Sequence, residues 1–164
     1  MLFAQQEIKV SAKGTLRDDQ ELSLIIQTAS AEDISAFAVT PDKRFVLTAS
    51  DTTPRIWEIA SGRLIRELGG HSEPVIAISI SPDGTKIATA AGPELRVWNL
   101  ATGQLAHSVR STTRIRRWLQ FGNSGNELYF GSDFGLHRWS LDAKSPESIL
   151  PNKFDVRGNM ATAT

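Results

Sequence analysis

The sequence predicts an all-β fold made of β-propeller blades: three four-stranded antiparallel units and one leading strand, in an incomplete ring. Three observations predict it. Three of the four tryptophans, Trp57, Trp98 and Trp139, stand 41 residues apart, and their surroundings align at that spacing without a gap. A fixed period of about 20–50 residues marks a repeat architecture. Turn chemistry recurs in the same register, at Pro41-Asp42-Lys43, Ser81-Pro82-Asp83-Gly84 and Asn123-Ser124-Gly125. Helical periodicity is absent throughout, and the apolar runs between turns are short. One twisted four-stranded sheet cannot bury both faces alone, so such units stack radially.

Residues 1–21 are mixed and polar and read as a leader or linker, with one strand near Glu7–Ser11. Leu22–Thr28 is β-prone and stands where the outer strand of a preceding unit would stand. The repeat region spans 22–151, with units at about 30–69, 71–110 and 112–151. In the first unit Ile34–Thr40 is a strand, with Phe37 and Val39 on one face and Ala36 and Ala38 on the other. Pro41-Asp42-Lys43 closes a tight turn, because proline presets φ and aspartate bonds back to the backbone. Phe45–Ser50, Pro54–Ile59 and Arg63–Leu68 follow as strands. The second unit repeats the plan with Val75–Ile80, Lys86–Ala91, Glu94–Leu100 and Gln104–Arg110. The third has Ile115–Phe121, Glu127–Ser132 and Leu136–Leu141, and a weaker fourth strand at Ser148–Leu150. Residues 152–164 carry no core signal and read as a flexible tail.

Composition narrows the function classes. Apolar residues make up 40% and charged residues 22%, which is a globular composition. Lys plus Arg equals Asp plus Glu, at 18 each, so net charge gives no reason to expect nucleic acid or an anionic membrane. Cysteine is absent, which excludes disulfides, thiolate metal sites and a cysteine nucleophile. No histidine has a second ligand at metal spacing, and no set of residues supplies a nucleophile, a base and an oxyanion site together. The expectation is therefore no catalytic residue, no cofactor and no metal. The compartment stays open. Residues 1–6 read as an ordinary start, which favours the cytoplasm, or as the end of a signal peptide, which implies a secreted or periplasmic protein.

Gly70-His71, Ser81-Pro82-Asp83-Gly84 and Arg96-Val97-Trp98-Asn99-Leu100 followed by Ala101-Thr102-Gly103 carry a resemblance. The chain resembles WD-repeat β-propeller proteins over about residues 22–150. The resemblance implies a buried hydrogen-bonded set in each blade: a His before the first strand, a Ser or Thr in the second, an Asp in the next turn and the third-strand Trp. Matched residue by residue, the set is broken in every unit. The second keeps His71, Thr89 and Trp98 but has Gly92 at the Asp position. The first and third keep Asp51 and Asp133 but have Ser30 and Thr112 at the His position. The second half of the Trp-Asp mark is Glu58, Asn99 and Ser140. His71, Trp57, Trp98, Trp139 and Asp133 are thus expected in structural roles.

Three units do not close a ring, since propellers have about 4–8 blades. The chain is read as a fragment of a longer protein, as a short chain that completes its ring by oligomerising, or as a truncated reading frame. An open stack should leave an apolar blade face, prone to self-association.

Partner contacts are expected at one end of the blades. Arg110, Arg114, Arg116 and Arg117 lie within eight residues beside Trp118. Arginine forks suit carboxylate and phosphate, so this stretch reads as an anion or phosphopeptide contact. Its alternative is a solvated loop whose arginine stems cover apolar surface, with Trp118 in the inter-blade core. Asp51, Glu94 and Phe134 sit in turns at the same end, and Phe134 reads as an aromatic anchor. The resemblance implies a non-enzymatic protein–protein interaction scaffold, one part of a larger propeller, with unidentified protein partners. The alternatives are a sensor region of a longer enzyme, such as a caspase-like peptidase or kinase fusion, and an anion-binding propeller using the Arg110–Arg117 loop.

Overall fold

The computed structural model describes residues 8–10, 24–26 and 34–151. Among them are fourteen strands and no helix. Three consecutive groups of four strands form three antiparallel sheets, each meandering in chain order. The first holds β3 (Ala36–Val39), β4 (Phe45–Ser50), β5 (Thr53–Glu58) and β6 (Leu64–Glu67). The second holds β7 (Val75–Ile80), β8 (Lys86–Ala91), β9 (Glu94–Asn99) and β10 (Leu105–Arg110). The third holds β11 (Ile115–Phe121), β12 (Glu127–Ser132), β13 (Gly135–Ser140) and β14 (Glu147–Pro151). The arrangement is open, not a closed ring. The expected strands fall within one or two residues of these bounds. β1 (Ile8–Val10) pairs antiparallel with β2 (Leu24–Ile26) as a separate two-stranded sheet. The leading strand therefore has a partner inside the expected leader. The rest of the leader and the tail lie outside the described residues.

The turns that end the first strands follow from local chemistry. Asp83 accepts from the Ser81 hydroxyl at 2.5 Å and from the Thr85 amide at 3.0 Å, and these bonds hold its carboxyl down to about 2. Gly84 and Gly125 adopt φ of 70° and 68° at one turn position, where Lys43 takes φ 58° in the first sheet.

The sheets pack face to face, and the 41-residue register fixes what meets. Large residues of one sheet lie on aliphatic or small residues of the sheet before it. Ile87 and Trp98, with Ile78 and Ile80, pack on Leu47 and Ile56. Leu119, Phe121, Leu128, Phe130 and Trp139 pack on Ala77, Ala88, Ala90 and Val97. Leu47, Ala88, Ile87 and Leu128 are fully buried, so these junctions are the core. Polar bonds cross them too: the Phe121 amide donates to Ser79 Oγ at 3.1 Å, and Ser35 Oγ donates to the Val75 carbonyl at 2.6 Å. β7 lies beside both β3 and β11, so first strands neighbour first strands.

The outer face of the third sheet departs from the expected apolar end. At the positions of Ala77, Ala88 and Val97 it has Trp118, Tyr129 and Arg138. Arg138 pairs with Glu127 and Glu147, and the Tyr129 hydroxyl donates to Glu127 at 3.0 Å. That face is polar and internally paired. An open hollow of about 500 Å³ lies there, lined by Trp118, Gln120 and Tyr129 among others.

Candidate functional site

The turns after each second strand and the connectors between sheets gather at one end. The Val75 amide donates to the Asp51 carbonyl and the Ile115 amide to the Gly92 carbonyl, both at 2.8 Å, which ties each connector to the preceding turn. The sequence-expected contact residues lie at this end.

The buried network is completed in the second sheet, against expectation. His71 is 5% exposed, and Thr89 is fully buried. Trp98 Nε1 donates to Thr89 Oγ1 at 3.0 Å, and Thr89 Oγ1 lies 2.7 Å from His71 Nε2. The Glu94 carboxylate can only accept, so neutral His71 carries its proton on Nδ1 and its Nε2 accepts the Thr89 hydroxyl proton. His71 Nδ1 then donates to Glu94 Oε2 at 3.0 Å. Glu94, two residues beyond Gly92, supplies the carboxylate that the aspartate position lacks. Arg96 Nε donates to the other oxygen of Glu94 at 2.9 Å, and Arg96 Nη1 to the Gly70 carbonyl at 2.9 Å. Glu94 was expected as an outward contact; its side chain is 17% exposed and turned into this network. Burial would raise its pKa, but the bonds from His71 and Arg96 hold the carboxyl below its usual range. Burial pushes His71 down, more than the Glu94 bond raises it. Gly92 takes φ 55°, the left-handed region that Asp51 also holds at the same position of the first sheet, and a Cβ there would meet the Glu73 carboxylate at 2.5 Å, so a side chain at this position would have to displace Glu73.

The other sheets keep fragments of the set. Trp57 Nε1 donates to Thr48 Oγ1 at 2.8 Å. Ser30 lies outside the described residues. In the third sheet Phe130 stands at the threonine position, so Trp139 Nε1 donates instead to the Ala143 carbonyl at 2.9 Å. His137 stacks on Phe130, with ring centroids 5.1 Å apart, and bonds Ser132 Oγ through Nε2 at 2.7 Å. Burial pushes His137 down as well. Trp57, Trp98 and Trp139 are all buried.

The arginines do not converge. Arg114 pairs with Glu73 and Arg116 with Asp133. Arg110 and Arg117 are exposed and have no ion pair among the described residues. What draws attention is the strand itself. Ile115 pairs with Ser132 but Leu119 with Phe130, so three residues of β11 oppose the single Gly131. Arg116, Arg117 and Trp118 occupy that bulge and are exposed in succession. Bulges re-aim side chains in this way. Trp118 is 44% exposed, outside the inter-blade core. Phe134, in the turn beside Asp133, is 62% exposed. Asp51 occupies its turn at φ 57° and is exposed. Sequence reasoning missed Trp118 as a surface residue, although its parity opposite to Leu119 and Phe121 signals it. Among the described residues no group of His, Asp or Glu could hold a metal ion.

Residues 23–58 and 62–99 match the family model of the WD domain, G-beta repeat. Among solved structures the chain is similar to the RRP9 WD40 repeats at 23% identity and a TM-score of 0.70, covering 78% of this chain and 41% of that one. U3-55K is similar with the same identity, TM-score and coverage of this chain, over 42% of its own length. The β-propeller domain of Cps50 (Swd1) from Myceliophteria thermophila is similar at 16% identity and a TM-score of 0.65, covering 72% of this chain and 38% of that one. At such identities the likeness is one of fold, and the chain spans well under half the length of these structures. No curated protein matches it.

Proposed function

We propose that this chain, whose residues 23–58 and 62–99 match the WD domain, G-beta repeat model and whose fold is that of WD40 propellers, is a non-enzymatic protein-interaction scaffold, one part of a larger propeller. The partner is a protein that docks at the connector end of the blades. The observation that carries this reading is the β11 bulge, which leaves Arg116, Arg117 and Trp118 exposed in succession, with Arg116 paired to Asp133 next to the exposed Phe134. Exposed arginine and aromatic side chains are the composition of binding hot spots. Arg117, without an ion pair among the described residues, is available to an acidic or phosphorylated group. Arg114 and Arg116, already held by Glu73 and Asp133, position the bulge instead.

Charge reversal at Arg117 and truncation of Phe134 test the reading. Arg117→Glu and Phe134→Ala should abolish capture of protein partners while leaving the thermal midpoint unchanged. Unchanged capture in both variants overturns the contact. Anion-dependent stabilisation of the wild type by phosphate or sulfate, lost in Arg117→Glu, would replace a protein partner with a small anion.

A further inference from the structure

The two junctions between neighbouring sheets differ at the end opposite the connectors, where the turns after the first and third strands lie. Between the first and second sheets a hollow of about 310 Å³ opens there. Its floor is Ile56, at 2% exposure, and Phe45 and Leu100 pack beside it on the junction core. Ile65 forms a wall. Ile56 pairs with Arg66 and Trp57 with Leu64, so Ile65 is the extra residue of a bulge in β6. It is 45% exposed and lines the hollow. The register supplies the comparison. One period on, Lys86 stands for Phe45, Ala106 for Ile65 and Asp142 for Ala101. Lys86 Nζ donates to the Gly125 carbonyl at 3.2 Å, so a charge crosses the second junction where the first has an aromatic wall. Both walls of the hollow belong to sheets that already pack on each other. A further blade at either end of the stack leaves it open.

The rim is cationic. Arg44 is exposed and lies over the Phe45 ring, 5.4 Å from its centroid. Arg66 crosses to the second sheet and donates to the Thr102 and Ala101 carbonyls, which carry no net charge. Gly103 makes room for that crossing, since a Cβ there would strike Arg66 Cδ. Neither arginine has an ion pair among the described residues. The carboxylate of the rim, Asp42, is already used. It accepts from the Thr40 hydroxyl at 2.6 Å and from the Arg44 amide at 3.0 Å. Those two bonds, ahead of the Arg44 charge, hold its carboxyl below the usual range. β6 is also the last strand of its sheet, with β5 its one partner among the described residues, so its outer edge is open to an extended chain.

We propose that this hollow docks an extended segment of a partner protein, one in which an aliphatic residue is flanked by acidic residues. The aliphatic side chain fills the space between Phe45 and Ile65, and a flanking carboxylate bonds the Arg44 guanidinium. Two guanidinium groups without ion pairs, against one carboxylate that is already bonded, select an acid over a base. Main-chain bonds to the β6 edge add affinity, and the hollow gives the side-chain fit. Small-molecule sites span about 300–1,000 Å³. This hollow is at the lower bound with an exposed rim, which suits a side chain from a surface-lying segment. The site is at the opposite end of the blades from the β11 bulge, and its test is separate.

The probe is a set of blocked five-residue peptides with Leu or Ile at the centre and Asp or Glu on either side. They are titrated into the full 164-residue protein by calorimetry and amide NMR. The expected result is saturable one-to-one binding, with amide shifts confined to residues 42–45, 63–66 and 100–103. Arg44→Glu and Ile65→Ser should each weaken it at least tenfold, and Arg117→Glu should leave it unchanged. Lys in place of the acidic residues of the peptide should abolish it. Arg44 and Ile65 are exposed, and an unchanged thermal midpoint confirms that the variants fold. Ala101→Trp, which fills the hollow from its exposed rim, should block the same peptides without touching either residue. Absence of saturable binding to the wild type by every peptide overturns the proposal, as does binding indifferent to Arg44→Glu or to Ile65→Ser. Isocaproate, an aliphatic acid without a peptide backbone, binding as tightly as the peptides would also overturn it and assign the hollow to a small amphipathic acid.

Discussion

At the scale of single residues, Thr89 is the hinge of the second sheet's polar core. One hydroxyl accepts from Trp98 and donates to His71, and His71 passes the chain on to Glu94. Thr89→Val keeps shape but leaves two buried nitrogens without partners, which costs about 1–3 kcal/mol for each group. The expected loss of at least 1 kcal/mol is read from a urea unfolding midpoint. His71 gives a pH signature. His71 is held below its ordinary value of 6.5 by burial. An unfolded His71 therefore binds protons before the folded one does. Its contribution is complete above pH 6.5 and is lost progressively as pH falls from 6.5 to the folded value. Urea midpoints at pH 7.5 and 5.5 should fall with acidification, and His71→Gln should reduce the difference. An equal difference in the variant would place the acid sensitivity elsewhere, at His137 or the carboxylates. The sequence showed His71, Thr89 and Trp98 plainly. It hid the replacement carboxylate, because Glu94 reaches the histidine from two positions past the expected aspartate, and only the backbone bend at Gly92 brings it there.

At the scale of elements, strands and turns were legible because the period places them three times over. The β11 bulge was not, since neither neighbouring repeat has two extra residues at that point: β7 opposes β8 with a single-residue shift. The consequence is measurable. Trp98→Ala removes a side chain from the junction and should cost about 3–5 kcal/mol. Trp118→Ala removes one from the bulge, and exposed substitutions of that kind stay within about 0.5 kcal/mol. Denaturant midpoints of the two variants decide it; similar losses would mean that Trp118 packs in a junction. The first turn offers an opposite sign. Lys43 holds φ 58° where the other repeats have glycine. A side chain in that region costs about 1 kcal/mol relative to glycine. Lys43→Gly should stabilise by roughly 0.5–1 kcal/mol, visible as a raised thermal midpoint.

At the scale of the whole molecule, the two ends of the stack differ in kind. The first sheet ends in an apolar face with Phe37 and Val39 half-exposed. The third ends in Arg138, paired with Glu127 and Glu147, beside Tyr129 and Trp118. The positions of Ile56 and Val97 show what a junction requires there, a buried aliphatic residue. An arginine at that position places a paired charge where the described junctions carry an aliphatic side chain, which weakens apolar sheet-on-sheet packing there. Arg138→Val tests whether this one residue prevents head-to-tail growth. The ion pairs it loses are exposed and contribute little to stability, so the fold should survive. The face it creates has aliphatic side chains at the positions of Leu95 and Val97, with Leu136 beside the new valine. Light scattering over a dilution series should then show association that the wild type lacks at the same concentration. High salt sharpens the distinction, because it weakens the Arg138 pairs in the wild type and leaves an apolar contact in the variant intact. A variant that stays as dispersed as the wild type would mean that Trp118 and Tyr129, not the charge, keep the end closed.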